Sequence, residues 1–425
     1  MPSPSVLPRP LVHRVATIAV LAFCAWLAVR GAMKGLRPRG NDFRIYYDSA
    51  SALLDGRDPL LVEGSIYPPS FDAALAPFAL LPFTAALILW QSLSFACLLW
   101  GWRRCLQMLG PALQARPWVS WLALLAVARL VDSSFAYSQV NTITFALVAE
   151  AVHRWRQARV VSPALAIGAG AALKILPAGF VLWLLLRGAW RAAAASLIAI
   201  LVWMSALALI AMGPERSLRS YQHWIALVVE PVGAGGEKLL EARDYVPGQS
   251  LTAACYRVFS ATPATSAGAS GPRANLFDFP LATTHRIVQG LALLHVAIWA
   301  ATVLRRRRPA LASEDPGFLL EAGLSVAMIL ALGPVVQKAH MLWLLLPYVA
   351  LLGLQSRLVG WRRVLREALV WASILLIGAT APALLGDALA TRLITGNVVF
   401  LGLECTLAAL VLELWAPREI NPSQS

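Results

Sequence analysis

The feature that most constrains this chain is an alternation. Apolar runs long enough to cross a bilayer are separated by short clusters of arginine. A crossing helix needs about 20 mostly apolar residues. The first such run is 16–33, after a short basic start at Arg9, His13 and Arg14. It reads as an uncleaved first span, since apolar spans continue after it and no small-residue cleavage site follows. Further runs lie at 84–102, 192–212, 284–304, 318–334, 340–355, 367–385 and 391–415. Composition agrees: 59% of the 425 residues are hydrophobic and 14% charged. A soluble domain cannot bury that much apolar surface in one core. The net charge of +14 then reflects membrane loops and not nucleic acid. Cys24, Cys97, Cys105, Cys255 and Cys405 are scattered, without a C-x-x-C pair, so no disulfide framework or zinc site is expected.

Arginine placement sets the expected sidedness. The clusters Arg103-Arg104, Arg154/Arg156/Arg159, Arg187/Arg191, Arg305 to Arg308 and Arg357/Arg362/Arg363/Arg366 belong in the cytoplasm. An even number of crossings must separate neighbouring clusters. That divides 117–152 into two helices broken at DSSFAYSQVN. It makes 160–187 a hairpin with its tip near Lys174 and Pro177. The expectation is an all-α polytopic membrane protein, a single domain over 1–425 with about twelve spans and both termini inside. Two long segments, 35–83 and 213–279, then lie outside. The second contains a Gly/Ala/Ser/Pro-rich stretch from Ala261 to Pro272.

Polar residues that took no part in this parity argument test it. Asp42, Gln139, Asn141, Lys174, Gln249, Gln337, Lys338 and His340 all fall at the outer end of a span or in an outer loop. Polar groups aimed at one face suit an interfacial site. A through-channel would need them along whole helices. Each has a plainer alternative. Asp42 suits a general base beside tyrosines, or a helix cap. Tyr67, before Pro68 and Pro69, lines a groove or merely precedes a structural elbow. Gln139 and Asn141 bind sugar hydroxyls or cap the next helix. Lys174 is one of only four lysines against 32 arginines. It holds a phosphate, or it snorkels to the interface. Lys338 and His340 grip a leaving oxygen, or hydrogen-bond locally. Gln249 and Ser250 open an amphipathic stretch through Arg257 that suits a helix lying on the outer surface. The sixteen tryptophans suit an interface belt.

The segments NDFRIYYDSASALLDGRDPL and IYPPSFDAALAPFALLP, followed in order by SQVNTITFAL, KILP, GQSL and QKAH with the following LPY, resemble glycosyltransferase family 87 over about residues 40–350. The resemblance implies a GT-C type membrane transferase with its active site at the outer face of the inner membrane. It implies a polyprenyl-phosphate sugar donor, with mannose the expected hexose, and a glycolipid or glycan acceptor. By position it makes Asp42 the catalytic base and Tyr46 a site tyrosine, and it places Lys174 and His340 around the lipid phosphate. The chain has no Asp-Asp pair and no D-x-D, which disfavours a metal-bound nucleotide sugar, so no metal or other cofactor is expected. The competing reading is a transporter or flippase that binds a lipid-phosphate head group. Such proteins tend to show repeated halves, which are not evident here.

Overall fold

The computed structural model describes residues 9–37, 41–230, 248–264, 272–306, 315–378 and 380–416. Among these, every regular element is a helix. The first apolar run forms α1 (Arg9–Gly35). Asn41 then caps α2 (Asp42–Leu54), its side chain accepting from the Phe43 N–H at 2.9 Å. That satisfies a donor the first turn would otherwise leave orphaned. Asp58 caps a 3-10 turn over Pro59–Leu61, and Gly56 (φ +80) makes the bend before it. Pro69 opens α3 (Pro69–Ala79), where a missing N–H is harmless. The described part of 35–83 is therefore built on a pair of short helices joined by the 3-10 turn. They share an aromatic layer of Phe43, Tyr46, Phe71 and Trp90.

The chain continues through α4 (Phe83–Gln107) and a short α5 (Pro111–Ala115). A bent pair follows, α6 (Val119–Ala126) and α7 (Ala128–Ala136), at 53°. Next come α8 (Asn141–Arg156) and the hairpin of α9 (Val161–Leu173) and α10 (Gly179–Arg187). The hairpin turns at Lys174 to Ala178, where parity placed it. Then α11 (Trp190–Trp224) kinks at Gly213 (φ +73), immediately before Pro214. Proline removes a helical hydrogen bond there and glycine absorbs the turn. The remaining helices are α12 (Leu251–Phe259), α13 (Leu281–Arg305), α14 (Pro316–Leu332), a 3-10 turn Lys338–Leu344 leading into α15 (Leu345–Gly353), α16 (Gly360–Gly378), α17 (Pro382–Thr395) and α18 (Val398–Leu414).

Among the described residues, four helices are long and apolar enough to cross a membrane, and six if each bent pair forms one span. Four shorter apolar helices, Val161–Leu173, Leu176–Arg187, Pro316–Leu332 and Lys338–Gly353, accompany them. The expected dozen included the two short helices of the 160–187 hairpin, and the described helices do not establish that count. Thirteen helical residues in α9 reach only about 20 Å, short of the ~30 Å apolar core.

Two expectations are corrected. The runs 367–385 and 391–415 are not two helices but three, α16 to α18, with α16 and α17 bent by 91°. Pro382 starts a new helix and Gly386 (φ +74) breaks it again. The stretch after Ser250 is a capped helix but not a surface one. Leu251, Ala253, Ala254, Cys255, Tyr256 and Arg257 are all buried. Residues 231–247 and 265–271 of the second long segment, with most of its Gly/Ala/Ser/Pro-rich stretch, lie outside the described residues.

Among the described residues, arginines from each cluster gather in one layer of the bundle. Arg104 and Arg154 both pair with Glu150, the latter at 2.6 Å. Glu321, from α14, pairs with Arg187 and lies 3.6 Å from Arg306. Glu413 lies 3.4 Å from Arg366 and accepts from the Arg357 N–H at 2.9 Å. The polar residues singled out in the sequence gather elsewhere, at the loops joining α1–α2, α7–α8, α9–α10 and α14–α15.

Candidate active site

Asp42 is the first residue of α2. Its backbone N–H donates to the Tyr137 carbonyl at 3.0 Å, which ties α2 to the end of α7. Between α7 and α8 the chain turns through Ser138, at a left-handed φ of +52. A residue other than glycine holds that conformation at a cost, so something must fix it. Two side chains of α4 do. Trp90 Nε1 donates to the Ser138 carbonyl at 2.8 Å, and Gln91 Nε2 to the Ser138 hydroxyl at 2.7 Å. The turn aims Gln139 at Asp42.

From there a single direction of hydrogen bonding follows. Gln139 Nε2 donates to Asp42 Oδ2 at 2.7 Å and to Gln337 Oε1 at 3.0 Å. A carboxylate accepts only, so this nitrogen must be the amide NH₂. Gln139 Oε1 must then accept, and it does, from Asn141 Nδ2 at 2.6 Å. Asn141 Oδ1 accepts in turn from Lys174 Nζ at 3.1 Å. The relay runs ammonium, amide, amide, carboxylate. It has a cation at one end, an anion at the other, and no freedom to flip an amide between them. Amides transfer protons poorly, so the relay orients charge.

Tyrosines wall this line. The Tyr46 and Tyr67 hydroxyls are 2.7 Å apart, and Lys174 Nζ lies 5.6 Å from the centre of the Tyr67 ring. No carboxylate pairs directly with Lys174 among the described residues, so its remaining N–H valences are open to a ligand. His340 is buried beneath Gln337. Its Nδ1 accepts from the Gln337 N–H at 3.0 Å, which places the neutral ring's proton on Nε2. That Nε2 has no hydrogen-bond partner among the described residues. A buried donor without a partner suits a site awaiting an acceptor. Asp42 belongs to the segment between spans, and partial burial raises its carboxyl above the ordinary aspartate range. The Gln139 hydrogen bond and then the Lys174 and Lys34 charges oppose that rise.

Of the residues expected from sequence, Asp42, Tyr46, Tyr67, Gln139, Asn141, Lys174 and His340 come together, and Gln337 closes the group. Two go elsewhere. Gln249 Nε2 donates to the Ile394 carbonyl at 3.3 Å, away from the relay. Its neighbour Ser250 reaches the Pro334 carbonyl at 3.4 Å, so the GQS turn props the loop that carries Gln337. At Gly248 (φ +111) an added Cβ would come within 2.9 Å of the Val336 carbonyl, so the close approach demands glycine. Lys338 turns from His340 into a neighbouring cavity of about 630 Å³. Sequence reasoning did not single out Trp90, Gln91 or Ser138. Gln91 was the findable one, a long polar side chain inside an apolar span. Among the described residues no three His, Cys, Asp or Glu side chains group as metal ligands.

The sequence matches glycosyltransferase family 87 over residues 66–315. That range contains Tyr67, Gln139, Asn141 and Lys174. Asp42, Tyr46 and His340 lie outside it and join through geometry alone. Two curated relatives are polyprenol-phosphate-mannose-dependent alpha-(1-2)-phosphatidylinositol mannoside mannosyltransferases. The one from Mycobacterium tuberculosis is 31% identical over 205 residues, covering 42% of this chain and 45% of its own. The one from Mycolicibacterium smegmatis is 31% identical over 202 residues, covering 41% and 44%. The chain thus spans less than half the length of the curated relatives it matches. No solved structure matches it. With more than half of its length inside the family's match, this membrane chain belongs to glycosyltransferase family 87.

Proposed function

We propose that the protein transfers a mannosyl group from a polyprenyl-phosphate donor to a hydroxyl of a glycolipid acceptor, with inversion at the anomeric carbon. The relay from Lys174 to Asp42 carries this reading. It sets a base and a cation in one fixed frame, and the two reacting ends of such a transfer need just those groups. The acceptor hydroxyl gives its proton to Asp42 while its oxygen bonds to the anomeric carbon. The bond from that carbon to the phosphate oxygen breaks, and polyprenyl phosphate leaves with the electron pair. Gln139 holds Oδ2, which leaves Oδ1 for the proton. Lys174 and the Nε2–H of His340 meet the charge that develops on the phosphate. Preorganised donors of that kind stabilise the transition state directly, so the reading needs no metal.

Arginine bias puts the opposite, ion-paired layer in the cytoplasm and the site at the outer face of the inner membrane. A flipped lipid-linked sugar is available there. The test is incubation of the purified protein in lipid nanodiscs with radiolabelled polyprenyl-phosphate mannose and candidate glycolipids. Label should move to an acceptor in the wild type and not in Asp42→Asn. Absence of transfer to every acceptor, with the donor shown to bind, would reject the reading.

A further inference from the structure

Beside the Asp42 site lies the cavity that receives Lys338. Its other basic side chains are Arg30, Lys34, Arg37 and Arg129. Two acids, Asp132 and Asp387, also line it. Asp132 is already engaged, by Arg30 and by Arg129 at 3.3 Å. Among the described residues no carboxylate pairs with Lys34, Arg37 or Lys338, so the cavity keeps an excess of positive charge. Its volume is that of a small-ligand site.

The choice of cation is informative. The chain has four lysines against 32 arginines. The three lysines among the described residues all stand at this end: Lys174 in the relay, Lys34 and Lys338 in the cavity. Arginine serves both the ion-paired layer and, at Arg30, Arg37 and Arg129, this cavity, whereas the described lysines are confined to the site end. Lysine is a compact cation with three donors that needs no planar partner, which suits a tetrahedral oxyanion. Tyr137 joins the two sites. Its side lines the cavity, Lys34 Nζ sits 4.3 Å from its ring centre, and its carbonyl holds the Asp42 N–H at 3.0 Å.

We infer that this cavity binds the phosphate of a lipid head group, at a second anion site beside the one that contains Lys174. The inference rests on the transferase reading for its lipids, and two lipids supply the same chemistry: the polyprenyl-phosphate donor and an acceptor built on a phosphodiester. The experiment reads lipid retention and not turnover. The full chain is placed in phosphatidylcholine nanodiscs doped with decaprenyl phosphate, with phosphatidylinositol, or with a neutral diacylglycerol glucoside. Retained lipid is then measured by native mass spectrometry.

The wild type should retain at least one phosphorylated lipid about tenfold over the glucoside, and Lys34→Gln/Lys338→Gln should lose that preference. Asp387→Asn, which removes a competing anion from the rim, should strengthen it and guards against a misfolded double variant. Loss confined to decaprenyl phosphate assigns the cavity to the donor. Loss confined to phosphatidylinositol assigns it to an acceptor. Equal retention of the glucoside, or unchanged retention in the double variant, overturns the inference. Asp42→Asn should retain lipid like the wild type. If retention behaves as stated and no sugar ever moves, the transferase reading fails and the phosphate site stands.

Discussion

The ion-paired layer and the candidate site use charge in opposite ways. In the layer, Glu321 meets Arg187 and Arg306, and Glu413 meets Arg366 and the 356–357 turn, so each buried carboxylate is saturated by its own protein. At the site the carboxylate of Asp42 and the ammonium of Lys174 are kept apart by two neutral amides. Direct pairing would neutralise both. The amide spacer keeps each available while fixing where it points. Closed charge networks mark architecture and interrupted ones mark chemistry, and that distinction can be broken by substitution.

The largest effect is expected at Asp42. Asp42→Asn keeps the hydrogen-bonding shape but cannot take a proton. Turnover should fall by about 10²-fold or more, the usual worth of a positioned base, while donor binding stays near wild type. Asp48→Asn, six residues on, should retain activity, and the reverse pattern would reassign the base. In the wild type, turnover should rise with pH through a midpoint above that of an ordinary aspartate, because a base acts only when deprotonated and burial has raised this one. Gln139→Leu should move the midpoint higher still, since its hydrogen bond holds the value down. A midpoint unchanged by Gln139→Leu would separate the relay from the base.

Glu321→Ala tests the other side of the contrast. It removes the carboxylate that Arg187 and Arg306 share in a buried setting, and breaking such a pair costs about 3–5 kcal/mol. Thermal unfolding in nanodiscs should show it, with turnover per folded molecule preserved. Lost turnover at full stability would erase the distinction between the regions.

Lys174→Ala should weaken donor binding by about tenfold, the scale of one lost charge-assisted contact. Lys174→Arg should not restore it, because a planar guanidinium is bulkier and differently hydrated than the compact ammonium. Donor affinity measured by titration decides this, and an unchanged value removes Lys174 from the site.

The smallest effect concerns a carboxyl at the site end that has neither kind of partner. Asp72, on α3 outside the spans, is buried, and neither of its oxygens has a hydrogen-bond partner among the described residues. Burial pushes its pKa up to about 8, and the nearby Ser49 hydroxyl offsets only part of that. The folded state therefore holds the proton that the unfolded chain releases near pH 4. Stability is unpenalised below that pH and declines as pH rises toward 8. Asp72→Asn should raise the unfolding temperature more at pH 8 than at pH 5, and an equal shift at both would refute the assignment.

The contrast also explains what was legible beforehand. Apolar runs and arginine parity located the helical regions, the hairpin tip at Lys174 and the common end for the polar residues, because bilayer thickness and loop charge act on sequence directly. Seven of the expected site residues converge for the same reason. Lys338 and Gln249 stand apart from the relay because a rank along the chain does not say which side of a turn a side chain leaves. Lys338 and His340 are two apart and part company across a 3-10 turn. The bend at Pro382 was missed because the apolar run continues through it. Ser138 gave no sign, since its left-handed backbone is imposed by Trp90 and Gln91 from another helix.

The hydrogen bond between Gln139 and Gln337 spans 198 positions of sequence. A chain threaded into the membrane from its N-terminus places Asp42, Gln139, Asn141 and Lys174 early in its synthesis. Gln337 and His340 arrive only 163 residues and more after Lys174. Until then Asp42 has its amide partner Gln139 but not the second glutamine that bonds that amide, and the imidazole has yet to emerge. On the proposed reading, the site is complete only once the loop that carries Gln337 and His340 has been made and has folded back onto the earlier helices.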